Sequence, residues 1–193
     1  MAAVLDINIL CNKILETDII EKLIGDYKTT IKSISSIENW MWENEQQINS
    51  LSQITSIMER DRIITINLIS PYFKDLGIYI EKINDMYQYT LWINTEGYPE
   101  LDSDMITPEN KRYYEIIYQV ISRLNNEILR SIEIAGIGIE SDFFYKGKLP
   151  DTIQSSCNMV VWILNNDISI ERLKNYKKRL IKGFNKILLE KIN

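Results

Sequence analysis

The chain has 193 residues, 45% of them hydrophobic and 25% charged, with a net charge of −5; this suits one globular domain over 1–193 and is too apolar for disorder. It contains no histidine, which removes Ser-His-Asp and Cys-His catalysis, His-bearing zinc sites and the usual general base near neutral pH. With only 4 Pro and 7 Gly, the tight turns of an all-β fold have few of their customary residues, so the composition predicts helices.

Asp6, Asn8, Asn12 and Lys13 interrupt the apolar start of the chain, so it does not read as a signal peptide. No run of ~18 apolar residues follows, and no spanning helix is expected. Cys11 and Cys157 are read as two buried free thiols. The expected setting is cytoplasmic.

A short helix is predicted with Val4, Leu5, Ile9, Leu10 and Ile14 facing inward. A second follows from a cap at Thr17 or Asp18, with Ile19, Ile20, Leu23, Ile24, Tyr27, Ile31 and Ile34 at helical spacing. Trp40, Met41, Ile48, Leu51, Ile54 and Met58 mark a long narrow-faced helix over about 37–59. The β-branched run 63–69 fits strand or buried helix equally well, and Ser70-Pro71 breaks it. Tyr72, Phe73, Leu76, Ile80, Ile83, Tyr87 and Leu91 predict a helix to about residue 93.

Gly97 and Pro99 mark a loop over 94–105. Thr107-Pro108-Glu109 is a strong helix start, and Tyr113, Ile117, Val120, Ile121, Leu124, Ile128 and Ile132 extend it. A second irregular stretch at 135–151 contains Gly136, Gly138, Gly147 and Pro150. A short apolar helix through Ile153, Cys157, Val160, Val161 and Leu164 comes next. The last helix is capped by Ser169, with Ile170, Leu173, Leu180, Ile181, Phe184, Leu188 and Ile192 inward. The expected fold is all-α: a single-domain irregular bundle of six or seven helices with two long loops.

Charge is segregated. Residues 170–193 carry eight bases against two acids, and residues 1–169 carry 14 bases against 25 acids, giving net charges of +6 and −11. The basic end is read as a helix docked on the acidic body. A nucleic-acid partner is not expected, because the body repels a polyanion. A membrane is not expected either, because the apolar face of the basic helix is needed for the core.

The candidate partner surface is acidic and aromatic. Glu96, Glu100, Asp102, Asp104 and Glu109 lie within fifteen residues with no base among them, and Trp92 and Tyr98 flank them. Acids beside Tyr and Trp suit capture of a basic protein. Asp102-x-Asp104 opens like an EF-hand loop, but Thr107 stands where that loop needs Gly, and its closing Glu is missing. Trp40-Met41-Trp42-Glu43-x-Glu45 forms a second cluster. Trp40 and Trp42 cannot share one narrow helical face, so an exposed anchor beside Glu43 and Glu45 is expected. Gly136-Ile137-Gly138 reads as a helix stop, since a dinucleotide loop would need Gly at Ser141. No catalytic residue, metal ligand or cofactor is indicated.

Three function classes follow. The first is a non-catalytic acidic protein that neutralises or inhibits a basic partner, of the toxin-immunity or inhibitor type. The second is a helical-bundle regulator of the viral type that takes a partner helix in a groove. The third is a His-free enzyme using carboxylates, sought among Glu38, Glu43, Glu45, Glu59, Asp61 and Asp102. The oligomeric state is not indicated by the sequence.

Overall fold

The computed structural model describes residues 3–15, 29–115, 118, 130–141, 143, 145–168, 171–181 and 185–191. Among them are ten strands: β1 Val4–Cys11, β2 Thr30–Ile37, β3 Gln46–Gln47, β4 Ile63–Ile69, β5 Leu76–Ile83, β6 Met86–Asn94, β7 Ile132–Ile139, β8 Met159–Asn165, β9 Tyr176–Ile181 and β10 Lys186–Lys191. They form one sheet in the order β3-β2-β4-β5-β6-β1-β7-β8-β10-β9. Every neighbouring pair is antiparallel.

The all-α bundle is therefore wrong. The predicted helix at 72–93 is the β5–β6 hairpin, and that at 37–59 is a loop, β3, a 3-10 turn Leu51–Gln53 and a short helix Ile54–Met58. The first predicted helix is β1, and the ambiguous run 63–69 is β4. The irregular stretch at 135–151 holds most of β7 and the start of a helix Leu149–Ser155. The apolar helix after it is mainly β8, and the basic terminal helix is the β9–β10 hairpin preceded by a 3-10 turn Glu171–Asn175. The predicted 19–34 helix lies mostly outside the described residues, but its Ile31 and Ile34 are in β2. Only the start at Thr107 behaves as read: residues 111–115 are helical, and Thr107 and Asn110 cap reciprocally.

The scarcity of Gly and Pro misled because other residues make the turns. Trp42, Asn44, Asp61, Asn84, Glu140 and Asn158 all have positive φ. Asn and Asp tolerate that left-handed region through local side-chain hydrogen bonds. Asn84-Asp85 closes the β5–β6 hairpin, where Ile83 faces Met86, without any glycine.

Register divides the side chains between two faces. On one face lie Leu5, Ile7, Ile9, Ile64, Ile66, Ile78, Ile80, Ile93, Ala135, Ile137, Val161, Ile163 and Leu188, all in the larger core. Leu51, Ile54, Met58, Leu101 and Tyr114 pack on it from outside the sheet. The opposite face is apolar mainly toward β7, β8 and β10, with Leu10 and Met86 joining that cluster from β1 and β6 and a buried Ile37–Ile63 pair at the end of β2 and β4. Across β7, β8 and β10, Ile134, Trp162, Leu164, Ile187 and Leu189 pack with Phe143 and with Ile153 of the helix Leu149–Ser155. Cys11 is buried as expected, but Cys157 is exposed. Among the described residues no helix is long and apolar enough to cross a membrane.

Candidate functional site

The second face changes character beyond β1. Across β2, β4, β5, β6 and β1 it presents Ser33, Ser35, Thr65, Asn67, Tyr79, Glu81, Gln88, Thr90, Trp92, Asp6 and Asn8, as the register requires. An antiparallel sheet commonly keeps one face polar and solvated; what sets this face apart is that Asn8, Ser35, Thr65 and Gln88 on it are buried and so need hydrogen-bond partners.

One hydrogen-bond chain runs across this face. Gln88 Nε2 donates to Thr90 Oγ1 (3.3 Å), and Thr90 Oγ1 donates to Asn8 Oδ1 (2.8 Å). Asn8 Nδ2 donates to Ser141 Oγ (3.1 Å), and Ser141 Oγ and N donate to Asp6 Oδ2 (3.3 and 3.2 Å). The chain ends on a carboxylate. Burial pushes the Asp6 carboxyl up to about 6, with the Ser141 bonds opposing and the charge of Glu140 adding. No described base pairs with it.

An aromatic row crosses the same face. Trp92 is the cross-strand neighbour of Asp6, and its indole covers Gly77, where a Cβ would sit 2.7 Å from Cζ2. Trp92 stacks on Tyr79 (centroids 5.9 Å apart, planes at 24°), and Trp40 meets Tyr79 edge-on (5.2 Å, 88°). Trp40 Nε1 donates to Glu81 Oε2 at 3.2 Å. Burial raises the Glu81 carboxyl above its ordinary range, opposed by that bond. Burial and the Asp6 charge likewise raise the Tyr79 phenol.

Trp40 belongs to a loop over 38–45 that is tied down from below. The Arg62 side chain is 11% exposed and pairs with Glu38 Oε1 at 3.3 Å. It also donates to Ser36 Oγ (3.0 Å), to the Ser36 carbonyl (3.1 Å) and to the Asn44 carbonyl (2.5 Å). Asn39 Nδ2 donates to Glu43 Oε2 (2.7 Å), Asn44 Nδ2 to Glu38 Oε2 (2.8 Å), and the Met41 amide to Asn39 Oδ1 (2.9 Å). The result is an exposed apolar tip: Trp40 is 49%, Met41 81% and Trp42 47% exposed. Trp42 has φ +59°, an uncommon conformation for a bulky residue that costs on the order of 1 kcal/mol. A strained, well-held loop that shows two Trp and a Met to solvent carries a functional signature.

The acidic stretch behaves differently from its appearance in sequence. Glu96 pairs with Lys74 (2.5 Å), Glu100 with Arg112 (3.1 Å) and Asp104 with Lys191 (2.7 Å). Asp102 accepts from Thr95 Oγ1 at 2.6 Å, and Pro99–Asp102 is a 3-10 turn rather than open loop. Hydrogen bonding to Lys74 lowers the Glu96 carboxyl, and hydrogen bonding to the Tyr113 hydroxyl lowers Glu100. The Glu109 carboxyl is lowered first by a hydrogen bond to its own amide, then by Thr107. The Tyr98 hydroxyl donates to the Tyr72 carbonyl, and its ring packs on Phe73 and Tyr113. Bases distant in sequence thus meet three of the five acids.

Of the residues singled out in sequence, Trp42, Glu43 and Glu45 sit together on the 38–45 loop. Trp92 lies on the polar sheet face, and Glu96, Tyr98, Glu100, Asp102, Asp104 and Glu109 form a separate group tied to neighbouring side chains. Asp6, Tyr79, Glu81 and Gln88 were missed because they read as parts of helices. Alternation of polar and apolar residues along 76–83 was the available signal. Among the described residues no three His, Cys, Asp or Glu side chains gather as a metal site. No family model, curated protein or solved structure matches this chain.

Proposed function

We propose that this chain is a non-catalytic binding protein that captures and neutralises a basic protein partner. The observation that carries the reading is the 38–45 loop: exposed Trp40, Met41 and Trp42 on a rigid frame, beside the exposed acids Glu43 and Glu45. Large amphipathic anchors that are ordered before contact lose little entropy on binding. Neighbouring carboxylates steer a cationic partner and disfavour acidic ones. The weight falls on Trp42, Glu43 and Glu45 rather than on Glu96, Glu100 and Asp104, whose charges the chain itself answers. The helix-in-groove alternative loses its basis with the helical bundle.

Comparative capture tests this. Wild type and a Trp42→Ala/Glu43→Lys/Glu45→Lys variant are each used as bait, and bound proteins are quantified. A basic protein retained by wild type and reduced about 30-fold or more by the variant supports the reading, since an exposed Trp anchor contributes about 2 kcal/mol or more. Association with that protein should slow as salt rises. Equal recovery on both baits counts against the loop.

A further inference from the structure

We propose that Glu81, Gln88, Tyr79 and Trp40 form a receptor for a guanidinium group, and that its occupant is an arginine side chain of the basic partner. The inference rests on the partner reading above and places one contact within it.

Glu81 and Gln88 stand directly opposite each other on β5 and β6, so their side chains leave the same face about 5 Å apart. Gln88 is only 6% exposed. Its amide nitrogen is committed to Thr90, and its buried carbonyl oxygen has no donor. A buried acceptor left unmatched is costly and marks a place where a donor is expected. Beside it, the half-buried Glu81 carboxylate receives the Trp40 indole N–H on Oε2 and pairs with no described base. The nearest bases in sequence are engaged elsewhere, Lys82 with Asp61 and Lys74 with Glu96, as is Arg62 with Glu38.

The unmet need is therefore for positive charge at Glu81 and for a donor at the neighbouring Gln88 oxygen, which lies beneath the surface and is reached only as the side chains above it part. A neutral hydroxyl ligand would leave the carboxylate without a counter-charge, and an anion would be repelled. A lysine ammonium brings charge but no planar fork. A guanidinium presents several N–H donors in one plane, able to reach a carboxylate and an amide oxygen together. It also stacks on aromatic rings, and Trp40, 49% exposed and set edge-on at 5.2 Å to a Tyr79 ring that already stacks on Trp92, offers one beside Glu81. Because Trp40 is part of the 38–45 loop, this receptor is continuous with the exposed tip that the partner is proposed to grip.

The test uses the whole chain, labelled for the indole N–H signals of its four Trp, with the Trp40 signal identified through Trp40→Phe. The probes are N-acetyl-arginine amide and its neutral isostere N-acetyl-citrulline amide. The arginine probe should move the Trp40 signal saturably, with a Kd on the order of 1 mM, and citrulline should not. Glu81→Gln should weaken arginine binding about tenfold while signals away from β5 and β6 stay in place, and Gln88→Leu should weaken it as well. Three results overturn the proposal: no saturation at about ten times the expected Kd, equal shifts with citrulline, or unchanged affinity in Glu81→Gln. Because the probe is a free small molecule, failure here leaves partner capture untouched, and failed capture leaves arginine binding untouched.

Discussion

Asp6 gives the sharpest stability test, through Asp6→Asn. The folded protein holds this carboxyl at about 6 against an ordinary 3.8, so the folded state binds the proton more tightly than the unfolded state. Below about pH 3.8 the group is protonated in both states and costs nothing. Between 3.8 and about 6 the unfolded chain ionises it first, and stability falls; above about 6 the loss is complete. The full difference corresponds to about 3 kcal/mol, and partial solvent screening of this half-buried group reduces the expectation to about 1–2 kcal/mol. Asparagine keeps an oxygen to accept from Ser141 N and Oγ and never ionises. Urea unfolding at pH 7.5 should therefore show the variant about 1–2 kcal/mol more stable than wild type, with unchanged denaturant slope. At about pH 4 the gap should nearly vanish. A variant no more stable at pH 7.5, or a gap independent of pH, would refute the account of Asp6 as an ionised group held against its burial. An acid retained at a cost to stability is also what a functional face predicts.

Four further outcomes are expected. Arg62→Ala should cost about 2 kcal/mol, because one side chain holds Ser36, Glu38 and Asn44 at once, and amide exchange at 39–44 should speed up; Arg62→Lys should not restore protection. Trp42→Gly should raise stability by about 1 kcal/mol in thermal unfolding by relieving its left-handed backbone, while removing the proposed anchor. Gly77→Ala places a Cβ 2.6 Å from the Ile66 carbonyl and 2.7 Å from the Trp92 ring, so a loss of about 2 kcal/mol and a shifted Trp92 indole signal are expected. Ile80→Ala removes a fully buried side chain from the centre of the larger core and should cost about 2–5 kcal/mol by urea titration.

By itself the sequence determined which residues are apolar enough to be buried and where several breaks fall. Ile9 and Leu188, expected to face inward, and Leu51, Ile54, Met58, Ile80 and Ile132, expected on apolar faces, are all buried; Leu180, expected inward, is exposed, as are Met41 and Tyr72. The start at Thr107 was legible because capping is local chemistry. The element type was not legible from spacing. Residues four apart share a face in both a helix and a strand, so Leu76 and Ile80, or Tyr87 and Leu91, fit either period. Ile78 and Tyr89, at the intervening positions, separate the two, and β-branched richness with few Ala weighs toward strands.

Only the tertiary structure assembled the candidate site. Pairing across the sheet set Glu81 opposite Gln88 and Trp92 opposite Asp6, relations that depend on register and have no trace in linear spacing. It also brought Lys74, Arg112 and Lys191 to Glu96, Glu100 and Asp104, because charges distant along the chain neutralise one another once folding brings them within a few ångströms. The exposed Trp40-Met41-Trp42 tip was half visible: its composition was legible, but its projection from the sheet depends on the buried fork of Arg62.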